Sequence, residues 1–399
     1  MVLLNQIKNI IDLFLDFVLS INFIILVFLL IFLYHILLFF IKDIKYIKEL
    51  KKYHVPKKII LEDLNDLPLV NIIVPAWKEG KTFEECLLGI TKLKYPKLKV
   101  IVNAGGSEET INIVNSFRKF DYFTIIYQKA GEGKIKAIND CLEHTSDGII
   151  YFIDADIYLT DEIFLWMLYL IINKNKEVVA TLYRPHESTE NIDLVKYAFI
   201  NRYDTFFKSI IKNPKVRISA HTCMKNNVIR SIGKFTEKRS YDDNVSISLD
   251  LYSKGYNAYR CSKMVQSFTY PKKILKFINQ NLRWIENSQF FNLKNNKNRF
   301  FKFFLVFLIS LYLFTFPFLL FMNTYLFLFG ILILFSYFLK KIRKIIFYKL
   351  NNEVYSISLN FKFFLKLIYY IYVDALVNII AIFEILFYRK AYKKRKNLI

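Results

Sequence analysis

The sequence predicts an α/β domain built on a parallel β-sheet and held between membrane helices. Three observations carry that reading. Long uncharged apolar runs lie towards both ends of the chain; short apolar runs alternate with amphipathic ones in its centre; and basic clusters sit at the borders of the long runs. The chain has 399 residues and is 54% hydrophobic, so where those residues concentrate matters more than how many there are.

The first long run, Phe17 to Ile41, holds no Asp, Glu, Lys or Arg. About 20 apolar residues suffice to cross a hydrocarbon core of roughly 30 Å. The run is too long for a secretory leader, and no small-residue cleavage site follows it, so an uncleaved anchor is expected. Residues 303–322 and 325–339 flank Asn323-Thr324 and read as a helical hairpin, its second arm short. Lys42, Lys45, Lys48, Lys51, Lys52, Lys57 and Lys58 follow the anchor, and Lys340, Lys341, Arg343 and Lys344 follow the hairpin. Such loops stay on the cytoplasmic side, which places the N-terminus outside and residues 43–300 inside. The net charge of +23 therefore belongs to membrane borders. It does not line an aromatic-studded groove, which argues against a nucleic-acid partner. Residues 361–396 are apolar enough to span yet basic at both flanks. Lys362, Lys366, Asp374, Asn378 and Glu384 share one half of a helical wheel. That pattern favours a helix lying in the interface over a fourth span.

The central block alternates strands with helices. "LVNIIVPAW" (69–77) is a strand ending at Pro75, followed by a helix from "EGKTFEECLLGITKL". "LKVIVNAGG" (98–106) is a second strand, and Ser107 opens a helix with a capping-box pattern. "FTIIYQK" is a third strand, "GKIKAINDCLEHT" a third helix, and "GIIYFIDADI" a fourth strand. This alternation implies βαβ units and a parallel sheet, in which ligands bind beyond the carboxyl ends of the strands. Cys86, Cys141, Cys223 and Cys261 fit no zinc spacing and read as buried thiols.

Asp154 and Asp156 end the fourth strand. Residues i and i+2 of an extended segment share a face, so the two carboxylates repel unless a cation or a proton lies between them. A divalent cation suits such hard oxygen ligands. A simple strand-to-loop turn fits the same residues, and phosphatases of the haloacid dehalogenase type also carry Asp-x-Asp after an apolar strand.

The order "IIVPAWKEG", "VIVNAGGSEET", "AGEGKIKAIN", "IIYFIDAD", "SYDD" and "QNLRW" resembles the membrane-bound branch of glycosyltransferase family 2, over about residues 68–290. That branch includes cellulose, chitin, hyaluronan and poly-N-acetylglucosamine synthases and ceramide glucosyltransferases. The resemblance implies a GT-A fold, a nucleotide-sugar donor (UDP-linked) and Mg²⁺ or Mn²⁺. Pro75 and Glu79 match the first-strand motif near the nucleotide. Gly133 and Lys134, with Ala137 and Asn139, match the motif after the third strand, so Lys134 would face the diphosphate. Asp154 and Asp156 match the metal-binding pair, Asp156 on the metal and Asp154 on the ribose or a metal-bound water. Asp242-Asp243 match the Glu-Asp pair, which makes Asp243 the general base. Gln280, Arg283 and Trp284 match Gln-x-x-Arg-Trp, with Arg283 on the diphosphate and Trp284 against a sugar or the acceptor. By themselves Lys134 also reads as a solvated lysine, Asp242-Asp243 as a helix-start pair favoured by the dipole, and Arg283-Trp284 as an interface anchor.

Where the family has Asp-Asp-Gly-Ser, this chain has Asn103-Ala104-Gly105-Gly106. Asn103 can hydrogen-bond a base edge but brings no charge, and Ala104 ligates nothing. An inactive homologue serving as a membrane scaffold is therefore the rival reading. The expected organisation is an anchor (1–42), a cytoplasmic GT-A domain ending in an interfacial helix (43–299), a transmembrane hairpin (300–340) and a C-terminal helix with a basic tail (341–399). The expected product is a lipid-linked sugar or a polysaccharide. Three clear spans build no wide channel alone, so a polymer would call for homo-oligomers or the C-terminal helix.

Overall fold

The computed structural model describes residues 21–51, 58–212, 221–236, 243–295, 297–351 and 360–387, with the single residues Gln6 and Ile218. In chain order it begins with α1 (Ile21–Leu38), a π turn (Phe39–Asp43) and α2 (Ile44–Lys51). Then come β1 (Val70–Trp77), α3 (Lys81–Thr91), β2 (Leu98–Gly105), α4 (Glu108–Asn115), β3 (Phe123–Gln128) and α5 (Gly133–Glu143). β4 (Ile149–Ile153), β5 (Ile157–Tyr158), α6 (Asp161–Ile172), β6 (Val178–Pro185) and α7 (Asp193–Lys212) follow, then β7 (His221–Lys225), α8 (Asn226–Ile232), α9 (Asp243–Ser253) and β8 (Ala258–Ser267). The last helices are α10 (Ile274–Asn295), α11 (Lys297–Leu319), α12 (Thr324–Asn351) and α13 (Phe361–Phe387). The chain divides into a sheet unit, Leu50–Lys273, and a helical unit, Met1–Glu49 with Ile274–Leu398.

The strand order in the sheet unit is β3-β2-β1-β4-β7-β6-β8-β5. β3, β2, β1 and β4 are parallel, as the βαβ alternation predicts. β7 then enters antiparallel to both β4 and β6, so the sheet is mixed and not wholly parallel. β6 and β8 run parallel with a register shift between Ala180 and Leu182, and β8 ends against β5. Such an irregularity bends a strand, and it brings the carboxyl ends of β6 and β8 back beside the segment that leaves β4.

The near-continuous apolar strands are explained by cores on both faces. Ile72, Val74, Val100, Val102 and Tyr151 pack with residues of α3 and α6, including Phe83, Leu87 and Phe164. Ile73, Ile101, Ile150 and Phe152 alternate to the other face, against Ile135 and Ile138 of α5 and Ile247 and Leu251 of α9. Fully burying each such side chain contributes about 1.5–3 kcal/mol. The four cysteines are free and buried, as expected.

Two strand ends differ from the sequence reading. β1 continues past Pro75 to Trp77. Its pairing with β4 stops at Ile73, so a residue without an N–H is tolerated where one side of the strand is open. β4 stops at Ile153, and Asp154–Ile157 form a turn closed by the Ile157 N–H on the Asp154 carbonyl at 3.1 Å. The apolar pattern is interrupted there, not extended.

Among the described residues of the helical unit four helices are long and apolar enough to cross a membrane: Asn22–Glu49, Phe300–Leu319, Thr324–Leu350 and Phe361–Phe387. α12 runs well beyond the apolar arm at 325–339, because Lys340, Lys341, Arg343 and Lys344 are themselves good helix formers. Arg343 Nε meets the buried Asp43 Oδ2 at 2.7 Å, and His35 Nε2 lies 3.2 Å from Ser336 Oγ, clasping the N-terminal helix to α12. Two of the polar residues of α13 expected to face an interface, Asp374 and Asn378, find partners inside the unit. Lys341 Nζ lies 2.7 Å from Asp374 Oδ2, and Asn378 donates to Ser310 Oγ at 3.4 Å. The basic tail after Phe387 lies outside the described residues.

The fully buried Asn71 fastens β1 to the turn before β4. Its Nδ2 donates to the Ser146 and Ile149 carbonyls, and its Oδ1 accepts the Ser146 N–H. Asn71→Ala would leave these groups unpaired at a cost of about 2–3 kcal/mol. Denaturant or thermal melts of the purified protein check this; a loss under about 0.5 kcal/mol contradicts it.

Candidate active site

The site is built at the carboxyl ends of β1 and β4. Beyond Trp77 the chain turns sharply: Lys78 has φ 57°, and its N–H bonds to the Gly105 carbonyl at 2.9 Å. This turn presents Glu79. Thr110 holds it in place, its hydroxyl accepting the Glu79 N–H and donating to the Glu79 carbonyl, both at 2.7 Å. Ser107, the expected cap of α4, accepts the Thr110 N–H and so ties the helix start to the same turn.

The glycines in "NAGG" follow from this crowding. A Cβ at Gly106, which has φ +88°, would lie 2.7 Å from Trp77 and Lys78, and one at Gly105 would lie 2.4 Å from the Gln128 carbonyl oxygen. Asn103 and Ala104 are fully buried. Asn103 Nδ2 donates to the Ala137 carbonyl of α5 at 3.4 Å, which fastens α5 to β2. The structure therefore places Asn103 beneath the edge, not on its open surface.

Four charged side chains expected at the site do converge. Lys134 Nζ, on the second residue of α5, lies 2.5 Å from Asp154 Oδ1, and both side chains are 28% exposed. Gly133, at φ +76°, lets the chain enter the helix at that point. Asp156 turns inward, and its Oδ1 is buried without a hydrogen-bond partner. The Phe268 N–H holds its backbone carbonyl at 2.9 Å. The two aspartates thus meet through a turn and not through the pleat of a strand.

The electrostatics show how close this group is. Burial raises Glu79, Asp154 raises it further, and Lys134 opposes both. Burial, Asp154 and Glu79 push the Asp156 carboxyl up to about 7 against the pull of Lys134. Burial alone would lower the Lys134 ammonium, but Asp154, Asp243 and Asp156 outweigh it and hold it above the ordinary lysine value. Asp243, the first residue of α9, therefore acts on Lys134 from a helix packed on the same face of the sheet as α5. Asp242 lies outside the described residues.

Pro75 stays within β1, opposite Asn103. Gln280, Arg283 and Trp284 belong to α10 in the helical unit. Leu282, with Ile278 and Ile285, packs α10 against Val377, Ala381, Ile382 and Ile385 of α13. At 100° per residue Gln280, Arg283 and Trp284 fall on the opposite side of α10, where Arg283 is exposed. The sequence reading missed Tyr158, His186 and Phe268, which gather beside Asp156 from three separate segments.

Among the described residues no three His, Cys, Asp or Glu side chains gather as a metal site. Two carboxylates, one with an unpartnered buried oxygen, do suit a hard divalent ion that takes its remaining ligands from a diphosphate and water.

The sheet is mixed and covered on both faces, with acidic groups and one lysine at its carboxyl edge, a fold of the GT-A type. Residues 71–228 match the sequence model of Glycosyl transferase family 2. A probable glycosyltransferase, YdaM, of Bacillus subtilis is 23% identical over 253 residues, which cover 58% of each chain. The poly-beta-1,6-N-acetyl-D-glucosamine synthase of Staphylococcus epidermidis is 21% identical over 223 residues, 54% of each. The chain thus spans little more than half the length of these relatives. The structure of the mannosyltransferase PcManGT from Pyrobaculum calidifontis, in complex with GDP-Man and Mn²⁺, covers 90% of this chain and 99% of its own. Its TM-score is 0.50 at 16% identity, a likeness of fold.

The raised Asp156 carboxyl has a consequence for stability. Below its ordinary value of 3.8 both folded and unfolded chains hold the proton, and the fold pays nothing. As pH rises towards about 7 the unfolded chain releases that proton more readily, so stability falls, and above that value the full cost remains. Asp156→Asn removes it. The metal-free variant should melt above the wild type at pH 8, by roughly 2–4 °C per kcal/mol relieved, with the gain vanishing towards pH 4. A melting difference that does not change with pH contradicts this.

Proposed function

We propose that the protein is a membrane-integrated, inverting glycosyltransferase. It moves a hexose from a nucleotide sugar, UDP-linked in our reading, to a lipid-linked or polysaccharide acceptor. The observation that carries this is the convergence of Glu79, Lys134, Asp154, Asp156 and Asp243 at one sheet edge of a family 2 domain. The four long apolar helices support a multi-pass protein in the cell membrane, and the basic borders support a cytoplasmic sheet unit.

In this reading Lys134, charged beside Asp154, turns its ammonium to the donor diphosphate at the start of α5, where the helix dipole also favours anions. Glu79 and Pro75 border the nucleotide, and Gly133 leaves the backbone open to it. Asp154 and Asp156 would hold Mg²⁺ or Mn²⁺, which when bound neutralises charge on the leaving diphosphate. Asp243 takes the proton of the acceptor hydroxyl, as a general base must. The acceptor oxygen then bonds to the anomeric carbon from the face opposite the diphosphate, and the nucleoside diphosphate departs with the electrons of the broken C–O bond. Arg283 is suited to fork onto that diphosphate and Trp284 to stack on a sugar ring. Asp242 stands beside the base in sequence.

The test is nucleoside-diphosphate release by the purified full-length protein with UDP- and GDP-sugars, Mn²⁺ and extracted membrane lipids. One donor should support release, and Asp243→Asn should lower turnover about 10²–10⁴-fold while donor binding persists. Unchanged turnover in that variant rules out the assigned base. No release with any donor leaves the scaffold reading in its place.

A further inference from the structure

We infer that Tyr158, His186 and Phe268 form a subsite for a pyranose ring beside the carboxylate turn, an inference that rests on the transferase reading. The three residues come from β5 and from the segments just beyond β6 and β8. The bend in β6 and β8 delivers them there. Tyr158 pairs with Gln266, the His186 N–H donates to the Ser267 carbonyl at 3.0 Å, and the Phe268 N–H donates to the Asp156 carbonyl at 2.9 Å. The subsite is thus hydrogen-bonded to the backbone of a candidate metal ligand.

The rings form a connected surface. His186 and Phe268 lie 4.2 Å apart at 31°, and Tyr158 meets them edge-on at 5.3 and 6.5 Å. All three are only partly buried, although neighbouring strand residues such as Ile157 and Ser267 are fully buried. Aromatic side chains in that state are open to a ligand as well as packed against one another. Polar groups edge the rings. Gln266 Nε2 donates to Glu187 Oε1 at 2.9 Å, and Arg184 lies 3.5 Å from the same carboxylate oxygen.

His186 supplies the directional contact. Its Nδ1 accepts the Ser188 N–H at 3.2 Å, which puts the proton of the neutral ring on Nε2. Burial lowers this histidine from its ordinary value, favouring the neutral ring at physiological pH. A pyranose presents an apolar C–H face and a rim of hydroxyls. Aromatic faces with one N–H donor and a carboxylate at the edge match both parts. The ring can belong to the donor hexose or to the acceptor's terminal sugar.

Saturation-transfer NMR on the full-length protein in a sugar-free detergent separates these sources. The probes are methyl β-D-glucopyranoside, methyl β-N-acetylglucosaminide and methyl α-D-mannopyranoside, with UDP affinity reporting an intact nucleotide site. At least one glycoside should receive saturation at its ring protons, and Phe268→Leu and His186→Ala should each weaken it about tenfold, equivalent to about 1.4 kcal/mol, with UDP affinity unchanged. If Phe268→Leu also removes the gain in affinity of a UDP-sugar over UDP, the ring is the donor's; if that gain survives, it is the acceptor's. No saturation of any glycoside in the wild type, or wild-type binding in both variants, overturns the subsite. Glycoside binding without nucleoside-diphosphate release from any donor would instead overturn the transferase reading and leave a sugar-binding site.

Discussion

Two carboxylates that cannot both be comfortably ionised govern the site. Asp154 has Lys134 at 2.5 Å, but Asp156 has a buried oxygen with no hydrogen-bond partner, and the charges of Asp154 and Glu79 add to its burial. An unpartnered buried charge is expensive, so a positive charge at Asp156 would be favoured. The surrounding fold maintains this poise. Thr110 fixes the Glu79 turn, Gly105 and Gly106 make room for Trp77, and the Phe268 N–H holds the Asp156 backbone. In the proposed function a divalent cation held by the carboxylates would relieve that cost.

The parts of this fold that repeat locally were legible in the sequence. The apolar strand runs, the amphipathic helices after them and the Ser107 cap each follow from a few neighbouring residues, and they occur where expected apart from the ends of β1 and β4. Glu79, Lys134, Asp154, Asp156 and Asp243 were singled out by the motifs they resemble; the fold brings the first four together, and Lys134 also feels the charge of Asp243. The turn at Asp154–Ile157 was not legible, because "IIYFI" and "IYL" on either side of it give one apolar pattern whether the chain is extended or reversed. Nor was the antiparallel entry of β7, which depends on pairing between segments some seventy residues apart. The aromatic group beside Asp156 is hidden for the same reason: Phe268 lies far along the chain, and only the bend in β6 and β8 brings it back.

In the helical unit Asp374 and Asn378 share a face of α13, and they find partners in Lys341 and Ser310. A polar stripe on an apolar helix serves an interface or a bundle equally well. In the same unit Leu282 seats α10 on α13, which leaves Gln280, Arg283 and Trp284 on the other side of their helix. These three residues are thereby carried on a helix seated among apolar helices.

The central claim is that the carboxylate pair and Lys134 form one site for a metal and a diphosphate together. Calorimetric titration of Mn²⁺ into the purified protein, with and without saturating UDP, tests it most directly. The account predicts weak Mn²⁺ binding alone, binding at least about tenfold tighter with UDP, and loss of that enhancement in Asp154→Asn. Mn²⁺ affinity that is the same with and without UDP, or an enhancement that survives in Asp154→Asn, would contradict it.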